Sequence, residues 1–333
     1  MYTWVMDRAI IVDSLVKNFE VAQKEPGLMG SFKSLISPKK KIVHALKNIS
    51  FTVQPGELVG FIGPNGAGKT TTLKTLSGLL YPTGGFVEVL EHNPWDRNPE
   101  FLKEISLVMG QKNQLWWDLP AIETFELNRA IYDIPTRIYN ENLKELVDLL
   151  GIGKLLNTPV RKLSLGQRMR MELTAALLHK PKILFLDEPT IGLDIIAQQK
   201  IRDFIYDYNV RYGATILLTS HNMDDLVNLA RRVIIINDGH ILYDGAFEEL
   251  ISKYAKEKLI KARLSNENNI SDLGSIGKIK KLSFPEVVIA VPRSAAAMAA
   301  SELLQNFPVD DLTIEETPIE EVIRKAFKSE YKK

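Results

Sequence analysis

Chemistry is densest at Gly63-Pro64-Asn65-Gly66-Ala67-Gly68-Lys69-Thr70, which fulfils the pattern G-x-x-x-x-G-K-[ST] in full. Glycines let successive backbone N–H groups turn toward one anion without Cβ clashes. A helix beginning there adds the partial positive charge of its N-terminus. Lys69 would set a full charge between the outer two phosphates of a nucleotide. Thr70 would offer a hydroxyl to Mg²⁺, and Thr71 is grouped with it as a binding residue. An apolar run at 58–62 precedes the loop and a helical pattern follows it, which is the context such a loop requires.

A second element is Lys182-Ile183-Leu184-Phe185-Leu186-Asp187-Glu188-Pro189, an apolar strand that ends in two carboxylates. Parallel strands deliver such residues to the same sheet edge as the glycine-rich loop. Asp187 can hold Mg²⁺ through water, since that ion keeps much of its hydration. Glu188 is placed to orient and polarise a water in line with the terminal phosphate. A third element, Leu163-Ser164-Leu165-Gly166-Gln167, precedes a helix with Met169, Leu173, Ala176 and Leu177 on one face. Ser164 and Gly166 at a helix N-terminus form a second anion site.

These three elements, in this order and spacing, resemble the nucleotide-binding subunit of an ATP-binding cassette (ABC) transporter, and the likeness covers about 9–246. The resemblance implies a P-loop NTPase fold of the α/β class. It comprises a RecA-like core, a helical subdomain at about 112–180 and an antiparallel β subdomain. ATP and Mg²⁺ are the implied cofactors, and Ser164, Gly166 and Gln167 are the implied signature that grips ATP across a dimer. Gln111 matches the glutamine that touches the metal or attacking water. Asp194 in Gly192-Leu193-Asp194 matches the dimer-contact aspartate. His221, after the apolar run 215–219, matches the switch histidine on the terminal phosphate. Phe19 matches the aromatic that stacks on adenine, with Phe32 or His44 as alternatives, because an insertion separates Phe19 from the loop. Two residues depart from the pattern: Leu165 stands where glycine is common, and Ile191-Gly192 replaces Ser-Ala before Leu193. The other motif residues are intact, so an active ATPase is expected.

One loop and one signature per chain imply a head-to-tail dimer with a second ATPase subunit, identical or homologous. A separate integral membrane permease is implied as well, placing the chain on the cytoplasmic face of the membrane. The tail Asp311-Leu312-Thr313-Ile314-Glu315-Glu316-Thr317-Pro318-Ile319-Glu320-Glu321-Val322 resembles subunits that serve ABC-2 type, daunorubicin-resistance-like exporters. The alternative is a non-transport ABC ATPase of DNA repair or translation. Only 94 residues separate Lys69 from Ser164, too few for a repair-type coiled coil, and there is one cassette rather than two.

The elements that must position these residues are legible as alternation. Strands are expected at 9–16, 49–53, 58–62, 105–108, 183–186, 215–219 and 233–236, several as unbroken apolar runs of buried parallel type. Helical patterns fall at 70–77, 122–131, 139–150, 167–178, 195–208 and 223–230. Such alternation means an α/β fold with a largely parallel sheet. The motifs stop after Glu249, so an ATPase domain at 1–250 and a small α+β domain at 251–333 are expected. The second has strands near 259–264, 279–282, 287–291 and 312–314, a helix at 295–306, and a last helix capped by Thr317.

Composition limits the classes. The chain has 333 residues, 42 basic and 41 acidic, and a net charge of +1, so no nucleic-acid partner is expected. It has no cysteine, which removes disulfides, thiolate nucleophiles and Cys-ligated metals. No apolar run approaches the roughly 20 residues of a membrane span, and the N-terminus reads as a strand rather than a signal peptide. Within the 20–41 insertion, Leu28, Met29, Phe32, Leu35 and Ile36 fall at helical spacing beside Lys39–Lys41. Two readings stand: a short helix packed on the sheet edge, or a contact with anionic lipid or a membrane partner. Trp116 and Trp117 are adjacent, so they cannot both face one core, and one is expected at a contact surface.

Overall fold

The computed structural model describes residues 8–22, 40–220, 226, 229–266 and 270–330. The stripe at 28–36 with Phe32, the histidine at 221 and most of the helix expected at 223–230 lie outside the described residues. The chain divides into two compact units, Met1–Gly245 and Ala246–Lys333.

The first unit runs β1 (Ile10–Ala22), β2 (Lys40–Val53), β3 (Leu58–Ile62), α1 (Lys69–Leu76), β4 (Gly84–Val89), α2 (Pro99–Glu104), β5 (Ile105–Met109), α3 (Ala121–Ile131), α4 (Thr136–Leu150), α5 (Leu165–Leu177), β6 (Ile183–Asp187), α6 (Ile195–Tyr212), β7 (Thr215–Ser220), β8 (Arg232–Asn237) and β9 (His240–Ala246). Six strands form one sheet in the order β5-β6-β7-β3-β8-β9. The pairs β5/β6, β6/β7, β7/β3 and β3/β8 are parallel. Every residue of β3 and β7 is buried, which is why these segments read as unbroken apolar runs. The register pairs Met109 with Asp187, Asp187 with Thr219, and Ile62 with Ser220. The residues that leave these strands are thereby gathered at one sheet edge.

β1 and β2 do not join that sheet. With β4 they form a three-stranded antiparallel sheet, β2-β1-β4. Its apolar side meets α1 and β3 in one core containing Ile10, Phe51, Phe61, Leu73 and Phe185. β1 continues six residues beyond the expected end at Val16, because register shifts near Ser14 and Lys17 break the apolar alternation without ending the pairing. β4 opens with two glycines and leaves Phe86 exposed, so its sequence gave no periodic signal. α2 is only one and a half turns long, yet it carries its own start: the Asn98 side chain accepts from the Glu100 N–H, with Pro99 in the first turn.

The second unit holds α7 (Phe247–Tyr254), β10 (Glu257–Leu264), β11 (Lys278–Ser283), β12 (Glu286–Pro292), α8 (Ala296–Asn306), β13 (Val309–Glu316) and α9 (Ile319–Glu330). Its antiparallel sheet has the order β11-β12-β10-β13, and Ile260, Ile289, Leu303 and Phe307 share its core. The hydroxyl of Thr317 donates to the Glu257 carbonyl at 2.6 Å, which ties the start of α9 to β10. No helix among the described residues is long and apolar enough to cross a membrane.

Candidate nucleotide site

β3 ends at Ile62 and the loop 63–68 turns the chain into α1. Pro64, Asn65 and Gly66 are exposed at the loop's crest, whereas Ala67, Gly68 and Lys69 are buried. Gly68 caps α1 at φ 115°, a backbone conformation only glycine takes without strain. A Cβ there would also lie 2.7 Å from Leu46 Cδ2 and 2.9 Å from the Ala45 carbonyl oxygen. No side chain caps α1, so its first N–H groups face the loop.

Lys69 is 6% exposed and doubles back over the loop. Its Nζ donates to the Gly63 carbonyl at 2.7 Å and the Pro64 carbonyl at 3.3 Å, and stands 3.9 Å from Glu188 Oε1. Burial pushes the ammonium pKa down, while Glu188 and Asp187 pull against that shift.

Two threonines order the carboxylates. Thr70 Oγ1 donates to Asp187 Oδ2 at 2.8 Å, and Thr219 Oγ1 donates to Asp187 Oδ1 at 2.7 Å. The Glu188 N–H donates to the Thr219 carbonyl at 3.0 Å and approaches its hydroxyl at 3.1 Å. Glu188 itself sits at φ 53°, uncommon for a residue with a Cβ, and its neighbours hold it there. From the next strand over, the Gly110 N–H donates to the Asp187 carbonyl at 2.8 Å. That contact brings Gln111 Nε2 to 3.3 Å from Glu188 Oε2. One ammonium, two carboxylates, two hydroxyls and an amide thus converge beside an open helix N-terminus.

Ser164, Gly166, Gln167 and Asp194 form a second group. Ser164 caps α5: its Oγ accepts from the Gln167 N–H at 3.2 Å, and Gln167 Oε1 accepts from the Ser164 N–H at 2.9 Å. Asp194 caps α6 by accepting from the Ala197 N–H at 2.8 Å. The two departures from the family pattern meet here. Gly192 has φ +71°, and a Cβ on it would lie 3.0 Å from Leu165 Cδ2, so the leucine side chain occupies the space the glycine leaves.

Phe19 lies half-buried on β1 with Lys17 Nζ 5.0 Å above its ring. His44, the alternative on β2, holds its Nδ1 2.7 Å from Asn18 Oδ1. Thr71 is half-buried in the first turn of α1. Trp116 and Trp117 are 52% and 51% exposed, so both present surface where one was expected to. Two residues escaped the sequence reading. Thr219 was seen only as a strand residue, although its place one step before the sheet edge was a usable signal. Glu172 interrupts the buried face of α5, where Met171, Leu173, Thr174 and Ala175 are buried with it.

The ABC transporter family matches residues 46–191, and the EvrA-like ABC transporter C-terminal domain matches residues 256–315. The ATP-binding protein NatA of Bacillus subtilis is 34% identical over 66% of this chain and 89% of its own length. The bacitracin transport ATP-binding protein BcrA of Bacillus licheniformis is 32% identical over 67% of this chain and 71% of its own. ABC transporter A family member 1 of Dictyostelium discoideum is 32% identical, and the chain spans 28% of its length. A solved ATP-binding subunit of an ABC transporter superimposes with a TM-score of 0.62 at 22% identity, covering 74% of this chain and 93% of the other. Both the loop around Lys69 and the carboxylate pair that closes β6 fall inside the matched segment, and the chain belongs to the ABC transporter family.

Proposed function

We propose that this subunit drives a separate membrane permease, of ABC-2 exporter type, by closing a head-to-tail dimer on two ATP molecules. The observation that carries the reading is the division of the site. The loop and carboxylate pair are tied to each other within the chain, while the exposed Ser164 turn is capped on itself by Gln167. A partner's nucleotide would complete it. NatA, an ABC transporter ATP-binding protein, and BcrA, a transport ATP-binding protein for bacitracin, support a transport role, the tail at 311–322 is what points to the exporter class, and a dimeric ADP-bound cassette, alike in fold at a TM-score of 0.60, fits the pairing.

In this reading the N–H groups of 63–69 and the Lys69 ammonium bind the outer phosphates. Phe19 stacks on the base. Thr70, Asp187 and Gln111 fit Mg²⁺, because they offer hard oxygen donors already gathered at the sheet edge. The ion supplies charge neutralisation of the phosphates when bound. Glu188, turned inward by its backbone and by Thr219, accepts a proton from the attacking water, and Gln111 orients the carboxylate. Ser164, Gly166 and Gln167 contact the partner's nucleotide, Asp194 the partner's backbone, and His221 the terminal phosphate. Trp116 and Trp117 receive the permease.

Glu188→Gln keeps the shape and removes the proton acceptor. Phosphate release should fall about a thousandfold, within the usual range for loss of a general base. The variant should still bind Mg·ATP and should elute as a dimer with it. Wild-type turnover in Glu188→Gln, or a strictly monomeric Mg·ATP form of that variant, contradicts the reading.

A further inference from the structure

Glu172 lies in the middle of α5, eight residues after Ser164, and is 2% exposed. A carboxylate buried among apolar neighbours is unfavourable unless donors surround it. Its donors come from another element: Oε1 accepts from the Gln114 N–H at 2.9 Å and the Leu115 N–H at 3.3 Å. Oε2 has no hydrogen-bond partner among the described residues. The segment it holds is the one that presents the two exposed tryptophans. That segment is pinned on its far side too, where Arg161 N–H donates to the Trp117 carbonyl and Val160 N–H to the Leu119 carbonyl, each at 3.0 Å. Residues 160–161 lead directly into Ser164. The tryptophan segment is therefore gripped from both sides by residues that flank the signature turn, 160–161 before it and Glu172 after it.

We propose that Glu172 is a positioning residue that makes residues 114–117 and α5 move as one body, so that nucleotide capture at Ser164 and occupancy of the Trp116–Trp117 face shift one another. An oxygen with two lone-pair directions can take both N–H groups, which accounts for a long polar acceptor among the mostly apolar buried side chains of α5. Coupling of this kind is reciprocal, so it can be read from the nucleotide side alone. The inference rests on the nucleotide reading above, and the two can fail separately.

The test uses the full chain with Trp4→Phe and Trp95→Phe, which leaves Trp116 and Trp117 as the reporters. Acrylamide quenching is measured with and without a non-hydrolysable ATP analogue and Mg²⁺, beside calorimetric titration of the analogue. The analogue should change the quenching constant in the parent. That change should fall at least threefold in Glu172→Met, with analogue affinity kept within threefold. Glu172→Gln, which retains an acceptor oxygen, should restore it. If the parent does not bind the analogue, the nucleotide reading fails. If it binds but the tryptophans respond equally in all three proteins, or not at all, the coupling is overturned, as it is if Glu172→Gln behaves like Glu172→Met. Should Glu172→Met not fold, hydrogen exchange of the unmutated chain decides. The Gln114 and Leu115 amides should exchange at least tenfold more slowly than the Trp116 amide and change with the analogue, and exchange at the unprotected rate refutes the tether.

Discussion

The sheet edge around Lys69 and the helical region of α3–α6 both bury polar groups, but they treat them differently. At the sheet edge the buried groups are cross-tied: Lys69 to the Gly63 carbonyl, Thr72 to the Gly68 carbonyl, Thr75 to the Thr71 carbonyl, and Thr219 to Asp187. In the helical region Thr124 Oγ1, Glu172 Oε2, His179 Nδ1 and Tyr208 Oη are buried with no hydrogen-bond partner among the described residues. An unmade buried hydrogen bond costs about 1–3 kcal/mol, so the first region is locked and the second carries unrelieved desolvation. Elements that shift during function are drawn from the less stable end of a structure. On this contrast the sheet edge is expected to hold geometry and the helices to be the part that moves.

The largest effect expected from this contrast is at Thr219. Thr219→Val keeps the shape but deletes the donor to Asp187 and the hydroxyl beside the Glu188 N–H, at a site with no exposure. Stability should drop by about 2 kcal/mol, the cost of leaving such groups unpaired. ATP turnover should fall at least tenfold, because both carboxylates lose a fixed reference. Urea unfolding and phosphate release measure the two, and a stability change under 0.5 kcal/mol would show that the sheet edge is not locked as described.

The next effect is set by pH. His179 stacks on Tyr132 with ring centroids 3.9 Å apart, and its Nε2 donates to the Ile105 carbonyl at 3.2 Å. That leaves Nδ1 buried and unprotonated, and burial pulls the pKa down to about 4 from an ordinary 6.5. Above pH 6.5 the ring is neutral folded and unfolded, and it adds no pH dependence. Between about 6.5 and 4 the unfolded chain takes up the proton and the folded one does not, so stability is lost as pH falls through that window. At pH 5 the loss should be about 2 kcal/mol relative to pH 7. His179→Phe, which keeps the stack, should remove that part of the slope while lowering stability at every pH. An unchanged slope in the variant would place the histidine outside the buried set.

The same contrast explains what the sequence disclosed. The loop, the carboxylate pair and the signature were legible because each has fixed residue types at fixed spacing, and the first two each lie at the end of an apolar run. The buried strands β3, β6 and β7 were legible for the same reason. β1 and β2 were only half legible, since a bulged antiparallel ribbon with an exposed side has no sustained alternation. Thr219 was hidden because its role comes from lateral register with Asp187, which no local pattern encodes. Glu172 was hidden for a related reason: its partners are backbone N–H groups 57 and 58 residues away, and an N–H has no sequence signature. Residue spacing reveals chemistry carried along the chain, whereas contacts across strands and helices have to be seen.

The smallest effect is also the sharpest test of the contrast. Tyr208 on α6 is 2% exposed, and its ring packs against Tyr212 at 4.6 Å and Phe204 at 6.0 Å between centroids. Its buried hydroxyl makes no hydrogen bond among the described residues, and burial pushes its pKa above the usual phenol range. Tyr208→Phe deletes one oxygen, as Thr219→Val in effect replaces one oxygen with a methyl group. The ring contacts survive, and a desolvated hydroxyl that gained nothing in folding is removed. The change should lie within about 0.5 kcal/mol of wild type and on the stabilising side, because deleting an unsatisfied polar atom releases its desolvation cost. Urea unfolding of the two variants side by side checks it. A loss near that of Thr219→Val would mean the hydroxyl is satisfied in solution, and the helical region would then be as tightly tied as the sheet edge.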